Sequence, residues 1–193
     1  MYLFLSVKIF LTGIMTDKLL WQALKSGQKS ALESIYNNQV DYLYNYSLRL
    51  TQDTGLILDC IQDLFIEIWN KRETIGSTDN IRPYLITSLR RKVIHAINKA
   101  KKTSGEVKED LDFRTDEGIE SQIIRSETKS ENKSILEKAM DQLSSRQREA
   151  IYHKYYNDHS YDEICKIMDI NYQSVRNLIS QGMKKMKQYM DDS

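Results

Sequence analysis

Proline is nearly missing from this sequence: Pro83 is the only one, and glycine occurs 7 times in 193 residues. An all-β chain with many tight turns needs more of both, so long helices are favoured. Cysteine is scarce as well, with Cys60 and Cys165 far apart and in no CxxC or Cys/His ligand spacing. That argues against a disulfide framework and a zinc site, and for reduced thiols in a cytosolic protein. No Gly-rich phosphate loop, HExxH or GxSxG motif is present, and His95, His153 and His159 are scattered. The histidines therefore read as surface or packing residues, and the chain is expected not to be an enzyme and to use no cofactor, metal or small-molecule substrate. There is no excess of charge either: the formal net charge is +1, so any nucleic-acid surface must be a local cluster. Long apolar runs are limited to residues 1–15, MYLFLSVKIFLTGIM. This stretch is shorter than the ~20 residues of a spanning helix, carries Lys8, and has neither a basic start nor a small-residue cleavage site. Translation is expected to start at Met15, because the amphipathic pattern begins only at Leu19.

What is present is globular: 40% hydrophobic and 28% charged residues, enough to build a packed core. The expected fold is all-α, with two small helical domains, an N-terminal bundle and a C-terminal helix-turn-helix, joined by a flexible linker. The first spans 16–102, the linker 103–131 and the second 132–190, after the extension at 1–15. In the first, Ala31, Ile35, Val40, Leu43, Tyr44, Leu48 and Leu50 recur at helical spacing and predict one or two helices. Residues 56–69 predict another, and a third begins near Ile81 with Pro83 in its first turn. Between them and the second domain the periodicity collapses. Glu106, Glu109, Asp110, Asp112, Asp116, Glu117 and Glu120 crowd a segment punctuated by Gly105 and Gly118, which reads as an acidic, mobile tether. Order returns with Ile135, Leu136, Ala139, Met140 and Leu143. Ser144 with Gln147, and Ser160 with Glu163, carry the capping-box spacing of helix starts.

The most specific signal is the unit at 160–187. Ile164, Ile167, Ile170, Val175 and Leu178 or Ile179 are spaced to pack two short helices across the break Asp169-Ile170-Asn171, the layout of a helix-turn-helix. Asn171 can cap the second helix. Its start then presents Tyr172, Gln173, Ser174, Arg176 and Asn177, followed by Gln181, Lys184, Lys185 and Lys187. These types meet base edges and phosphates in a major groove. A second signal is the stretch 82–102, which holds Arg82, Arg90, Arg91, Lys92, Lys99, Lys101 and Lys102 and no acid, with Tyr84 and His95 interleaved. A basic helix with an aromatic suits an opened nucleic-acid strand. The third is the helix at 59–72, where Ile57, Ile61, Leu64, Phe65 and Ile68 mark the core side and Asp59, Asp63, Ile66, Glu67 and Asn70 the other. An acidic face with one hydrophobic knob reads as a docking site for a basic partner.

In this order and at these separations the three signals resemble the extracytoplasmic-function group of RNA polymerase sigma factors, over nearly all of residues 19–190. Asp59, Gln62, Asp63, Phe65 and Trp69 stand in the family's Asp-x-x-Gln-Asp/Glu-x-Phe-x-x-x-Trp pattern. The resemblance implies that this helix, through Asp59, Gln62, Asp63, Ile66, Glu67 and Asn70, binds the clamp helices of the polymerase beta-prime subunit. It implies that the helix at 82–102, with Tyr84, Arg90, Arg91, Lys92, Lys99, Lys101 and Lys102, engages the melted minus-ten element while the loop 73–80 holds a flipped base. The C-terminal unit would read the minus-35 element and meet the beta flap, the linker would lie in the path of nascent RNA, and an anti-sigma factor would hold the protein in check. Tyr84 stands where tryptophan is common, Arg91 where asparagine is, and His95 and Asn98 where aspartate and arginine are frequent. Leu178 and Gln181 likewise replace frequent arginines. These departures fall on DNA-facing positions and leave the promoter sequence open. Two other functions fit parts of the pattern: a free-standing dimeric helix-turn-helix regulator, and a membrane-associated adaptor built on the apolar N-terminus. The regulator has no evident need for an acidic helix joined to a basic one, and the adaptor is the weaker of the two.

Overall fold

The computed structural model describes residues 16–104, 112–114 and 130–192. The apolar run at 1–15, the Met15 start and most of the acidic linker, Glu106, Glu109, Asp110, Asp116, Glu117 and Glu120 included, lie outside the described residues. Among the described residues there are helices and no strand. Helix α1 (Asp17–Lys25) has Asp17 in its first turn and Lys25 in its last, each placed to offset the helix dipole. It ends at Gly27, whose φ is 87°, with the Gly27 and Gln28 amides returning to the Leu24 and Ala23 carbonyls. This Schellman ending needs a positive φ, which glycine adopts without steric cost. The segment 31–50, which could have held one helix or two, forms one, α2 (Lys29–Leu48). Next come α3 (Thr54–Asn70), capped by the Asp53 carboxylate at 3.0 Å from the Leu56 amide, and α4 (Ile81–Ser104), with Pro83 in its first turn.

The C-terminal module holds α5 (Ser130–Asp141), α6 (Ser145–Ile151), a π-helical turn (Tyr152–Tyr156), α7 (Tyr161–Met168) and α8 (Tyr172–Asp191). Both predicted capping boxes form: Ser144 with Gln147 opens α6, and Ser160 with Glu163 opens α7. Asp169 takes a left-handed conformation, φ 55°, to end α7. The Asn171 side chain then accepts from the Ser174 amide at 2.8 Å and starts α8. Helix α8 crosses α6 at Gly182, where a Cβ would come within 2.7 Å of Ile151 Cδ1.

The wheel predicted for α3 is realised: Ile57, Ile61, Leu64, Phe65 and Ile68 are buried, together with Cys60. Each such side chain removed from water stabilises the fold by roughly 1.5–3 kcal/mol. The larger buried cluster does not stop at the module boundary. It runs from Leu24, Leu43 and Leu89 of the first four helices through Phe113 to Ala150, Ile164, Ile167 and Val175 of the last, and α4 touches α7 directly. A smaller cluster joins Ala139, Met140, Leu143, Ile151 and Met186. The acidic segment therefore does more than span a distance. Phe113 is buried against Tyr46 and Tyr152, its amide donates to Ser145 Oγ at 2.6 Å, and Asp112 pairs with Arg148 at 2.8 Å. The composition reads as an acidic, mobile tether, and at 112–114 that tether is packed against both modules.

Candidate functional site

Three surfaces and the seam between the modules carry the chemistry. On α3, Asp59, Gln62, Asp63, Ile66 and Asn70 all face solvent, with Ile66 50% exposed. The face is more apolar than the sequence suggested. Leu58 is 56% exposed, and a groove of about 500 Å³ runs between α2 and α3, lined by Tyr36, Val40, Leu58, Phe65, Ile66 and Trp69. Tyr36 meets Phe65 edge-on, with ring centroids 5.0 Å apart. The knob is thus one wall of an apolar groove flanked by carboxylates. Leu58 could have been found by continuing the wheel one turn towards the N-terminus from Gln62. Glu67 departs from the rest. It is half-buried and held by Lys71 and Lys92, each at 2.6 Å, whose hydrogen bonds bring its carboxyl down to about 2. Glu67 and Lys92 therefore tie α3 to α4 and are not free for polymerase or DNA in this structure.

Helix α4 is divided along its length. Lys99 and Lys102 are exposed and Lys101 half-buried. Arg91 is exposed and makes a loose pair with Asp169 at 3.8 Å, while Arg82 lies over the Tyr42 ring at 4.3 Å and donates to Gln39. Tyr84 is half-buried, edge-on to Trp21 at 4.8 Å. It lines a cleft of about 250 Å³ with Ile68, Lys71, Ile75, Ser88 and Arg91. Arg90 does not lie on the surface, as a DNA-contacting residue must. It is 9% exposed and forks onto Glu149 of α6, Nε to Oε1 at 2.6 Å and Nη2 to Oε2 at 2.9 Å. Tyr46 of α2 adds its hydroxyl to Oε1 at 3.0 Å.

Burial alone would raise the Glu149 carboxyl, but His153, 3.9 Å away, and the forked Arg90 outweigh it and hold the group at about 2. Burial lowers His153, and burial with the neighbouring His153 brings His159 to about 4. Their Nδ1 atoms are 3.3 Å apart, so one ring donates to the other and the accepting ring carries no proton on that nitrogen. Packing roles for these two histidines were expected; their junction with Glu149, Arg90 and Tyr46 was not. Nothing local signals it, because Tyr46 and Glu149 are 103 residues apart.

The helix-turn-helix stands open on its outer side. Val175, Ile179, Gly182 and Met186 are buried, while Gln173, Arg176, Asn177, Gln181, Lys184 and Lys185 are exposed and Ser174 is half-buried. Tyr172 is 51% exposed and lies against Tyr161, ring centroids 5.4 Å apart. Gln173 donates to Asn177 at 3.1 Å, which arranges two amide side chains along one ridge of α8.

Residues 35–103 match the family described as Sigma-70 region 2, and residues 133–186 match Sigma-70, region 4. The chain belongs to the sigma-70 family. Among similar proteins, the sigma factor is 19% identical over 165 residues to the ECF RNA polymerase sigma factor SigX of Bacillus subtilis, covering 84% of this chain and 85% of that one. It is 22% identical over 164 residues to the ECF RNA polymerase sigma factor SigL of Mycobacterium tuberculosis, covering 84% and 90%. Two solved structures share the fold. CnrH, in complex with the cytosolic domain of CnrY, matches with a TM-score of 0.58 at 15% identity over 92% of this chain and 99% of that one. The sigma factor RpoE of Bartonella quintana, in complex with the anti-sigma factor NepR, matches with a TM-score of 0.57 at 18% identity over 82% and 96%. Extracytoplasmic-function sigma factors are thus the group to which the sequence, the two matched regions and these relatives all point.

Proposed function

We propose that this sigma factor binds core RNA polymerase through the apolar groove of α2 and α3 and its rim of Asp59, Gln62, Asp63, Ile66 and Asn70. The beta-prime clamp helices are the expected occupant. The observation that carries this is the exposed Ile66 and Leu58 pair set among carboxylates, an arrangement that a basic amphipathic partner complements. The cleft beneath the loop 71–80, with Tyr84, Ser88 and Arg91 on its walls, suits an unpaired base of the opened minus-ten strand, while Lys99, Lys101 and Lys102 hold its backbone. Helix α8 suits the major groove of the minus-35 element through Tyr172, Gln173, Ser174, Arg176, Asn177 and Gln181, with Lys184 and Lys185 on phosphates, and its module meets the beta flap. Arg90 and Lys92 join the DNA surface only after Glu149 and Glu67 release them. The protein is a binding subunit and not an enzyme, works in the cytoplasm, and is regulated by an anti-sigma factor, as the RpoE relative is bound by one. No described helix is long and apolar enough to cross a membrane.

Asp63→Arg tests the polymerase face. Because Asp63 is exposed, the change should move stability by no more than about 0.5 kcal/mol while abolishing co-purification with core polymerase. Undiminished co-purification of the folded variant would contradict the assignment.

A further inference from the structure

Helix α1 belongs to none of the surfaces just described, yet it touches the loop between α3 and α4 repeatedly. Trp21 Nε1 donates to the Gly76 carbonyl at 2.8 Å, and Lys25 Nζ donates to the Ile75 carbonyl at 2.6 Å. Asp17 Oδ2 accepts from the Ile81 amide at 2.8 Å, at the point where the loop becomes α4, and Lys18 lies 3.6 Å from Asp79. Backbone groups in an irregular loop need partners from outside it, and here one short helix supplies them at the middle of the loop and at its exit. Elsewhere the loop is held locally, with Arg72 donating to the Trp69 carbonyl and Thr78 closing on Asn80, and at its far end by Asn80, whose side-chain amide donates to Glu163 of α7 at 2.9 Å. Trp21 is 1% exposed, and its ring also packs edge-on against Tyr84. Ile75 and Tyr84 both line the 250 Å³ cleft, so α1 positions two of its walls, one through a backbone carbonyl and one through an aromatic contact.

We propose that α1 is a brace that sets base selectivity at the opened minus-ten element, with Trp21 and Lys25 as positioning residues that fix the shape of the cleft without touching the base. This rests on the functional reading above, since it takes the cleft to be the place where an unpaired base is held. Lys25 pulls the Ile75 carbonyl inwards towards α1, and Trp21 does the same one residue later. Without them the loop gains freedom, and a cleft whose walls move discriminates poorly between bases that differ by one donor or acceptor.

The test uses the full chain with core polymerase and a promoter set bearing each of the four bases in turn at every minus-ten position, with matched substitutions at minus-35. Lys25→Met keeps the length of the side chain and removes the donor; Trp21→Phe removes the indole donor and keeps a ring. For each, the ratio of transcript from the preferred base to that from the next is expected to fall about three- to tenfold, the scale of one lost hydrogen bond. The minus-35 penalties and co-purification with core polymerase should stay as in the parent, and Lys25→Arg should retain the parent's ratios. Lys25→Met decides the matter if Trp21→Phe does not fold. Unchanged ratios in Lys25→Met, or an equal loss across minus-ten and minus-35 substitutions, would overturn the brace while leaving the sigma-factor reading in place. A parent chain that directs no initiation would overturn both.

Discussion

Arg176 is exposed on the first turns of α8, one residue beyond the buried Val175, so its guanidinium can reach a phosphate without disturbing the helix-turn-helix core. If it neutralises one phosphate, Arg176→Ala should lower duplex affinity and flatten the slope of log affinity against log salt by about 0.9. Titrations at several salt concentrations that gave parent and variant the same slope would remove Arg176 from the interface. The exposed positions on α3 and α8 were legible in the sequence, because a residue flanked at helical spacing by apolar neighbours has its direction set by the helix alone. Arg90 and Lys92 were not. Each belongs to a basic run that reads as one solvated face, and each is claimed by a carboxylate 59 or 25 residues away in sequence, Glu149 for Arg90 and Glu67 for Lys92. No spacing rule reports a partner at that distance. Leu58 was missed for a simpler reason: its neighbours Asp59 and Ile57 drew it into neither the core stripe nor the acidic one.

At the scale of elements, helix starts and stops could be read from short signals. Ser144, Ser160 and Asn171 each bond an amide three residues on, and such caps contribute about 1 kcal/mol each. The π-helical turn at Tyr152–Tyr156 had no such signal, and it is this turn that brings His153 beneath Glu149. Its titration has a defined direction. An unfolded histidine takes up a proton near pH 6.5, whereas His159 in the fold does so only near 4 and His153 is lowered in the same sense. The unfolded chain therefore binds more protons as pH falls through this window, so their contribution, complete above about 6.5, is lost on acidification towards 4. Glu149, held at about 2, adds a further loss below about 4.5. Thermal melts should show the midpoint falling between pH 7 and pH 5, and His159→Gln, which cannot take up the proton, should show a shallower fall. A midpoint that rose on acidification, or equal slopes for the two proteins, would contradict this.

For the whole molecule, the seam matters most. The two matched regions do not hang apart on a tether: they share buried apolar side chains and a forked ion pair, and Phe113 of the linker is packed between them. Tertiary docking of this kind was not legible, since a segment rich in carboxylates reads as solvated whether or not one aromatic in it is buried. Removing Glu149 would leave the Arg90 charge buried without its partner, a cost of about 3–5 kcal/mol, which the chain can relieve by parting the modules and wetting Arg90. Glu149→Ala should accordingly show a larger radius of gyration in solution scattering than the parent. A variant with the parent's radius and melting point would mean that the pair does not hold the seam. Closure also covers Arg90, so the proposed role of Arg90 on promoter DNA requires the modules to part. Run-off transcription from a set of promoters, with the purified chain added to core polymerase at low ionic strength and without inhibitor, tests the sigma-factor function most directly. Initiation at chosen start sites that depends on the chain is the result expected; core enzyme that gains no promoter selectivity from it would contradict the assignment of these surfaces.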